Sequence, residues 1–340
     1  MKAAILIGGQ GTRLRPFTLA TPKPLLPVLN RPFLEYQFQV LRNHGVREVV
    51  LCTSYRSEDF RRAFGGGRRL GLKLSYARET MPLGTGGALK NAEKHLSGGT
   101  VLVLNGDVLN ALDIRAFLRF HRACRAEISI SLTRVKDPTQ YGLVLTDEKG
   151  YVRRFLEKPS WDEVETNTIN AGAYLFEPSV FSHLPPGKTY SLERGLFPER
   201  LADGAKLAGW VAPGYWIDIG TVEKYLQVHL DILEGRAPFK TGAGARALKG
   251  LGGARVAAGA DARVAPFARF SGAVSLGRGV RIGRGASLTD CVVLDGTTIG
   301  DGARLERCVV GENARVGTHA VLGPGTALAG GSRVGDHSQL

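Results

Sequence analysis

A six-residue period runs through the chain from Val264 onward and limits its fold more than any other feature. Val264, Phe270, Leu276, Ile282, Leu288, Val293, Ile299, Leu305, Val310, Val316, Leu322, Leu328 and Val334 follow one another at steps of six, except for two steps of five. Small or β-branched residues lie four positions after many of them: Val280, Ala286, Thr297, Ala303, Ala314, Ala320, Thr326 and Ser332. Two inward positions per six residues, with glycine usually after the large one, describe one flat face of a triangular parallel β-helix with three faces per coil. One coil cannot bury its own interior, so coils must stack at about the 4.8 Å strand spacing. Cys291 and Cys308 each stand two residues before an inward valine, one coil of 17 residues apart. They are expected to stack as buried, unbridged thiols.

Residues 234–262 are mostly Gly, Ala and Arg and mark a boundary. Before it, strand-like runs at Ala3–Ile7, Glu48–Thr53, Leu72–Ala77 and Val101–Leu104 alternate with helical patterns at Pro32–Asn43, Ser57–Phe64 and Gly86–Leu96. That alternation predicts an α/β domain, a Rossmann-like and mostly parallel sheet with helices on both faces. The expected organisation is a domain over 1–235, a Gly/Ala-rich connection over 236–262 and the β-helix over 263–340. Ligands of open α/β sheets bind beyond the carboxyl ends of the strands. Three such segments stand out: Gly8–Arg13, Leu83–Gly87 and Asn105-Gly106-Asp107.

Composition removes several classes. Of 340 residues, 43% are hydrophobic and 22% charged, which suits an ordinary buried core. No apolar run reaches the ~20 residues of a membrane span, and the opening apolar run breaks at Gly8 too early for a signal peptide, so a cytoplasmic protein with no membrane partner is expected. Four cysteines without a CxxC pair fit neither a disulfide scaffold nor a zinc ribbon. The net charge of +14 is spread along the chain, which speaks against nucleic acid and for a small polyanionic ligand.

The segment Gly8-Gly9-Gln10-Gly11-Thr12-Arg13 can curl to present backbone N–H groups to a phosphate. Arg13 adds a fixed, forked cation. In Thr21-Pro22-Lys23-Pro24 two prolines restrict the backbone around Lys23 and aim its ammonium.

These segments, with Pro82-Leu83-Gly84-Thr85-Gly86-Gly87, Asn105-Gly106-Asp107, Tyr141-Gly142, Glu157-Lys158-Pro159, Asn170-Ala171-Gly172 and Trp216–Thr221, resemble the sugar-1-phosphate nucleotidyltransferases. The resemblance spans roughly residues 1–230. It is nearest to the mannose-1-phosphate guanylyltransferases that carry a C-terminal left-handed β-helix. It implies a nucleoside triphosphate and a sugar 1-phosphate as partners, and association of copies through the β-helix. By the same resemblance Gly8, Gly9, Gly11, Thr12, Glu79, Gly84 and Thr85 bind the nucleotide, and Gly142, Glu157, Lys158 and Asn170 bind the sugar phosphate. Arg13, Lys23 and Lys158 are the catalytic cations, and Asp107 and Asp218 hold Mg²⁺.

The chemistry agrees. Two anions must approach, so cations must neutralise both. The two aspartates each follow a strand-like run, Val101–Leu104 and Trp210–Ile217, and hard oxygen ligands suit Mg²⁺. A phosphate monoester is largely dianionic at pH 7, so no general base is required, and the histidines and cysteines show no catalytic spacing. Where pyrimidine-using relatives carry Gln, this chain has Arg78-Glu79. A carboxylate accepts the N1–H and 2-amino donors of guanine, which favours GTP. Mannose 1-phosphate is the favoured sugar. The alternatives are a manno-heptose 1-phosphate with GTP, glucose 1-phosphate with dTTP or UTP, and a catalytically silent subunit that binds a nucleotide sugar.

Overall fold

The computed structural model describes residues 1–340 except 55, 242–245 and 249–252, with the backbone alone at 246. Part of the expected 236–262 connection therefore lies outside the described residues. The chain forms two compact units, Met1–Gly9 with Gln37–Trp216, and Gln10–Tyr36 with Ile217–Leu340.

The first unit is built on a nine-stranded sheet. Lys2–Leu6 runs parallel to both Glu48–Thr53 and Val101–Asn105, and Lys73–Arg78 extends the sheet in parallel. These are the four expected strands; the inner three are buried almost throughout, with helices such as Gly84–Leu96 against the sheet, while Lys73–Arg78, at its edge, is buried only at Leu74 and Ala77. An antiparallel extension follows. Thr168–Phe176 pairs with Val101–Asn105 and joins Ile128–Arg134 and Gly142–Thr146 to the sheet. Ala4, Val50, Val103, Ile130, Tyr174 and Phe197 belong to its core.

Besides one-residue shifts at strand ends and a helix that begins at Gly84 rather than Gly86, two boundaries differ from expectation. The helix expected from Pro32 begins at Leu34, because Arg31–Pro32 pairs with Pro27–Val28 in a short hairpin. The run Trp210–Ile217 is two strands, Leu207–Val211 and Trp216–Asp218. Pro213 supplies no N–H, and Gly214 turns the backbone to φ +105.

In the second unit the repeat folds as its period requires. Leu276, Val293, Val310 and Leu328 stack in register, as do Ile282, Ile299, Val316 and Val334, and Phe270, Leu288, Leu305 and Leu322. The small positions Val280, Ala286, Ala303, Ala314 and Ala320 are fully buried. Thr297 is buried too, and its hydroxyl donates to Gly311 O at 2.6 Å. Thr326, Leu328, Ser332 and Val334, in the last of the coils described, are only half-buried.

One face of the β-helix is also closed from outside. Val292 and Val309 alternate with the inward Val293 and Val310 yet are fully buried, and helix Val222–Glu234 packs on strand Ala273–Leu276. Gln10–Tyr36 is fastened to the same helix. Tyr225 donates to Pro27 O at 2.5 Å and packs on Phe17, and Leu29 N–H donates to His229 Nδ1 at 3.4 Å. Burial lowers the His229 pKa to about 3, so its ring stays neutral and Nδ1 can accept that hydrogen bond. Asn30 Nδ2 reaches Leu276 O at 2.9 Å.

Cys291 and Cys308 stack as expected, 0% and 1% exposed, with sulfurs 3.7 Å apart and no disulfide. Cys52 is buried as well, its thiol pushed up to about 12 chiefly by burial, and Cys124 is half-buried. A thiol reagent should therefore label Cys124 in the native protein, and Cys52, Cys291 and Cys308 only after unfolding. Native labelling of Cys291 or Cys308, read by peptide mass, would contradict the stacking.

Candidate active site

The sequence-predicted residues divide between the units. Gly8, Gly9, Glu79, Gly84, Thr85, Asp107, Gly142, Glu157, Lys158 and Asn170 lie in the first, and Gly11, Thr12, Arg13, Lys23 and Asp218 in the second.

In the second unit Gly11 turns at φ +63 into a tight turn over Thr12–Leu14, leaving Thr12 and Arg13 exposed. Its carbonyl accepts from Leu14 N–H at 3.0 Å and Thr18 Oγ1 at 2.8 Å. A Cβ at position 11 would press on Thr18 at 3.1 Å and on Lys23 at 3.2 Å, so Lys23 runs against the loop. Lys23 opens a turn between its prolines and is only 8% exposed. A lysine seldom buries itself at a plain surface turn. Asp218 closes its strand, 9% exposed, and pairs with Lys224 on the first turn of helix Val222–Glu234. Thr221 caps that helix by accepting Lys224 N–H at 3.3 Å. A Cβ at Gly220 would lie 2.6 Å from Asp218 Oδ2 and 3.3 Å from Arg13 Nη2, so glycine leaves room for both groups. Lys224 belonged to none of the predicted motifs. Its one sequence signal was its position three residues after the Thr221 cap.

In the first unit the Asn105-Gly106-Asp107 turn is locked by contact. Gly106 N–H donates to Leu6 O at 2.9 Å, and a Cβ there would overlap Ile7 at 2.2 Å. Gln37 Nε2 donates to Asn105 O at 2.8 Å. The turn thus holds Asp107, half-buried, at the carboxyl end of Val101–Asn105.

Glu79 is buried rather than an exposed charge at a strand end. It is 6% exposed, and its Oε2 accepts Leu83 N–H at 3.0 Å. Burial raises its pKa, and the Leu83 bond partly offsets the rise. The Pro82–Gly87 loop is held from its other side by Tyr190, whose carbonyl accepts the N–H groups of Gly86 and Gly87 at 2.9 and 3.2 Å. A Cβ at Gly84, φ +71, would lie 2.7 Å from that same carbonyl oxygen.

Around Gly142 a third group gathers. A Cβ at 142 would stand 3.0 Å from Glu157 Oε2. Glu157 is pushed above the usual carboxylate range by burial and by Glu193, with Lys158 and Arg194 acting in the opposite sense. Asn170 donates to Tyr174 OH at 2.8 Å and accepts Gly172 N–H at 3.0 Å. Lys158 has a left-handed backbone, φ +55, directly before Pro159, and its N–H donates to Tyr141 O at 2.9 Å. A non-glycine residue in that conformation stores strain. Glu193 and Tyr174, both absent from the predicted site, link this group to Thr85.

The sequence model of the Nucleotidyl transferase family matches residues 2–235, and that of the GMPPB C-terminal domain matches 254–339. The chain belongs to the nucleotidyl transferase family. This nucleotidyltransferase is 42% identical over 295 residues to the mannose-1-phosphate guanylyltransferase of Mycobacterium tuberculosis, covering 86% of this chain and 80% of that protein. Its identity to mannose-1-phosphate guanylyltransferase 1 of Arabidopsis thaliana is 41% over 254 residues, 72% of this chain and 69% of that one. Among solved structures, HddC from Yersinia pseudotuberculosis, complexed with GMP-PN, superposes with a TM-score of 0.58 at 30% identity. It covers 66% of this chain and 96% of its own. The resemblance read from the motifs is thus borne out.

Members of the family generally use a divalent metal. Each unit carries a donor of suitable chemistry: Asp107 in the first and Asp218 in the second are hard oxygen ligands, and a magnesium ion keeps several waters and substrate phosphates, so it needs few protein ligands.

The strain at Lys158 predicts a stability order. Lys158→Gly should be about 1 kcal/mol more stable than Lys158→Ala, because only glycine relieves the left-handed φ. Thermal unfolding of the two variants measures this, and a less stable glycine variant would show that the backbone there is not strained.

Proposed function

We propose that this nucleotidyltransferase joins GTP to mannose 1-phosphate, giving GDP-mannose and pyrophosphate. The observation that carries the reading is the 42% identity to a mannose-1-phosphate guanylyltransferase over 86% of this chain. In this reading residues 1–235 carry the chemistry, and the β-helix over 263–340 associates copies of the chain.

An oxygen of the sugar 1-phosphate attacks the α-phosphorus of the triphosphate, the bond to the β-phosphate breaks, and pyrophosphate leaves with the electron pair. The attacking monoester, with a second pKa of about 6, is already largely dianionic at neutral pH. The chain's part is positioning and charge. Arg13, exposed on its turn, offers forked donors to the phosphates, and Lys23, buried with its carbon stem against the Gly11 loop, supplies a second cation. Lys158 meets the incoming sugar phosphate, Glu157 and Asn170 accept or donate to sugar hydroxyls, and Gly142 leaves room above Glu157. Asp107 and Asp218 would hold Mg²⁺, which when bound neutralises phosphate charge. Lys224 pairs with Asp218, and Arg13 stands on the same side of Gly220.

Glu79 is read as the guanine acceptor. Because Oε2 already takes Leu83 N–H, Oε1 is the oxygen left to meet the base. Glu79→Gln separates the two roles, since its carbonyl can still accept Leu83 N–H while an NH₂ replaces the second acceptor. The variant should fold normally and lose preference for GTP over UTP and dTTP. Pyrophosphate release across GTP, ATP, CTP, UTP and dTTP, each with mannose, glucose and manno-heptose 1-phosphates, measures this. A wild type that uses dTTP or UTP and ignores GTP would overturn the base assignment.

Asp107→Asn and Asp218→Asn remove charge with little change of volume. Each should lower kcat by about 10²-fold or more at saturating Mg²⁺, in line with several kcal/mol of metal-derived stabilisation. Wild-type turnover in either variant would remove that residue from the metal site.

A further inference from the structure

Glu193 lies in a one-turn π-helical segment, Leu192–Leu196, a geometry frequent at functional sites. Its carboxylate has two separate duties. Oε2 accepts from Thr85 Oγ1 at 2.7 Å and from Ser191 Oγ at 2.9 Å. Oε1 accepts from the hydroxyl of fully buried Tyr174 at 3.4 Å. Thr85 belongs to the Pro82–Gly87 loop, and Tyr174 is the residue on which Asn170 rests.

The proton accounting is closed. Thr85 Oγ1 accepts Leu192 N–H at 2.8 Å, and Tyr174 OH accepts from Asn170 Nδ2, so each hydroxyl turns its single hydrogen toward Glu193. The residue between them must accept on both oxygens, which an ionised carboxylate does and an amide cannot. Glu193 also faces Glu157 closely enough for its charge to raise the Glu157 carboxyl, so it acts on the same group from a second side.

We propose that Glu193 is a positioning residue that ties the Pro82–Gly87 loop to the Asn170–Tyr174 segment, so that one carboxylate orders the nucleotide and sugar-phosphate subsites together. This rests on the reading of those two segments as substrate subsites. Glu193→Gln satisfies one partner and sets an NH₂ against the other hydroxyl's hydrogen. It should raise KM for both GTP and mannose 1-phosphate about tenfold each, the effect of about one lost hydrogen bond to a charged group, with a smaller change in kcat. Thr85→Val should act mainly on the GTP KM and Tyr174→Phe mainly on the sugar-phosphate KM.

The test is steady-state kinetics on the full chain with Mg²⁺, as a double-mutant cycle of Glu193→Gln with each partner variant, and with the melting temperature of each protein. Non-additive KM effects in both cycles are expected. Additive effects in an active enzyme, or a Glu193→Gln effect on one substrate alone, would overturn the proposal and leave the proposed reaction standing. A lowered melting temperature with both KM values intact would reduce Glu193 to a structural residue. A wild type that releases no pyrophosphate from any substrate pair would overturn the functional reading and this proposal with it.

Discussion

Parallel pairing of Lys2–Leu6 with Val101–Asn105 is the constraint on which the first unit depends. The last register pair, Leu6 with Asn105, sets two chain segments leaving the sheet side by side, toward Gly8 and toward Asp107. Gly106 completes the arrangement by bonding to Leu6 O, and the overlap a side chain would make with Ile7 leaves no alternative residue. A shift of the pairing by one residue would turn every side chain of the strand to the opposite face and move Asp107 off that edge. The turn before Asp107 is held by a backbone bond, Gly106 N–H to Leu6 O, and by the side-chain amide of Gln37, which donates to Asn105 O, so the sheet and one buried side chain together place it.

Glycine works in three different ways along this chain, which is why its spacing was informative only in part. In the β-helix it marks a repeat, and the repeat could be read at once because each coil reuses one solution to the same packing problem. At Gly11 and Gly84 a positive φ requires it, and the clustered glycines of a phosphate loop make that legible in sequence. At Gly106, Gly142 and Gly220 the requirement is space next to Ile7, Glu157 and Asp218, residues that no local pattern connects to them. Such contacts become visible only when the fold brings the partners together.

The same distinction separates the site residues that the sequence revealed from those it did not. Arg13, Lys23, Asp107 and Lys158 stand in motifs whose chemistry follows from neighbouring residues, as with the two prolines around Lys23. Glu193 and Lys224 do not. Glu193 meets Thr85 across 108 residues of chain, and its Ser191 and Leu192 neighbours carry no periodic or compositional mark. The burial of the outward valines 292 and 309 was equally opaque, because their alternation with Val293 and Val310 alone places them on the outside of the coil. The division of Trp210–Ile217 into two strands, in contrast, was open to a reader who weighed Pro213-Gly214 more heavily.

Polar strain is distributed unevenly between these parts. In the β-helix the fully buried inward side chains are apolar or, like Thr297, supplied with a partner, so their stacking meets little opposing electrostatic cost. In the first unit the opposite holds around Gly142. Burial and the Glu193 charge raise the Glu157 carboxyl, burial raises that of Glu79 on the neighbouring loop, and Lys158 holds a left-handed backbone before a proline. Each of these lowers stability in isolation, and the sheet that carries them must offset the sum. On the proposed reading, a cation fixed by its backbone and carboxylates raised by burial gain partners when a phosphate and sugar hydroxyls arrive. Stability supplied by the regular pairing of the first unit's sheet is what allows these irregular residues to persist at its edge.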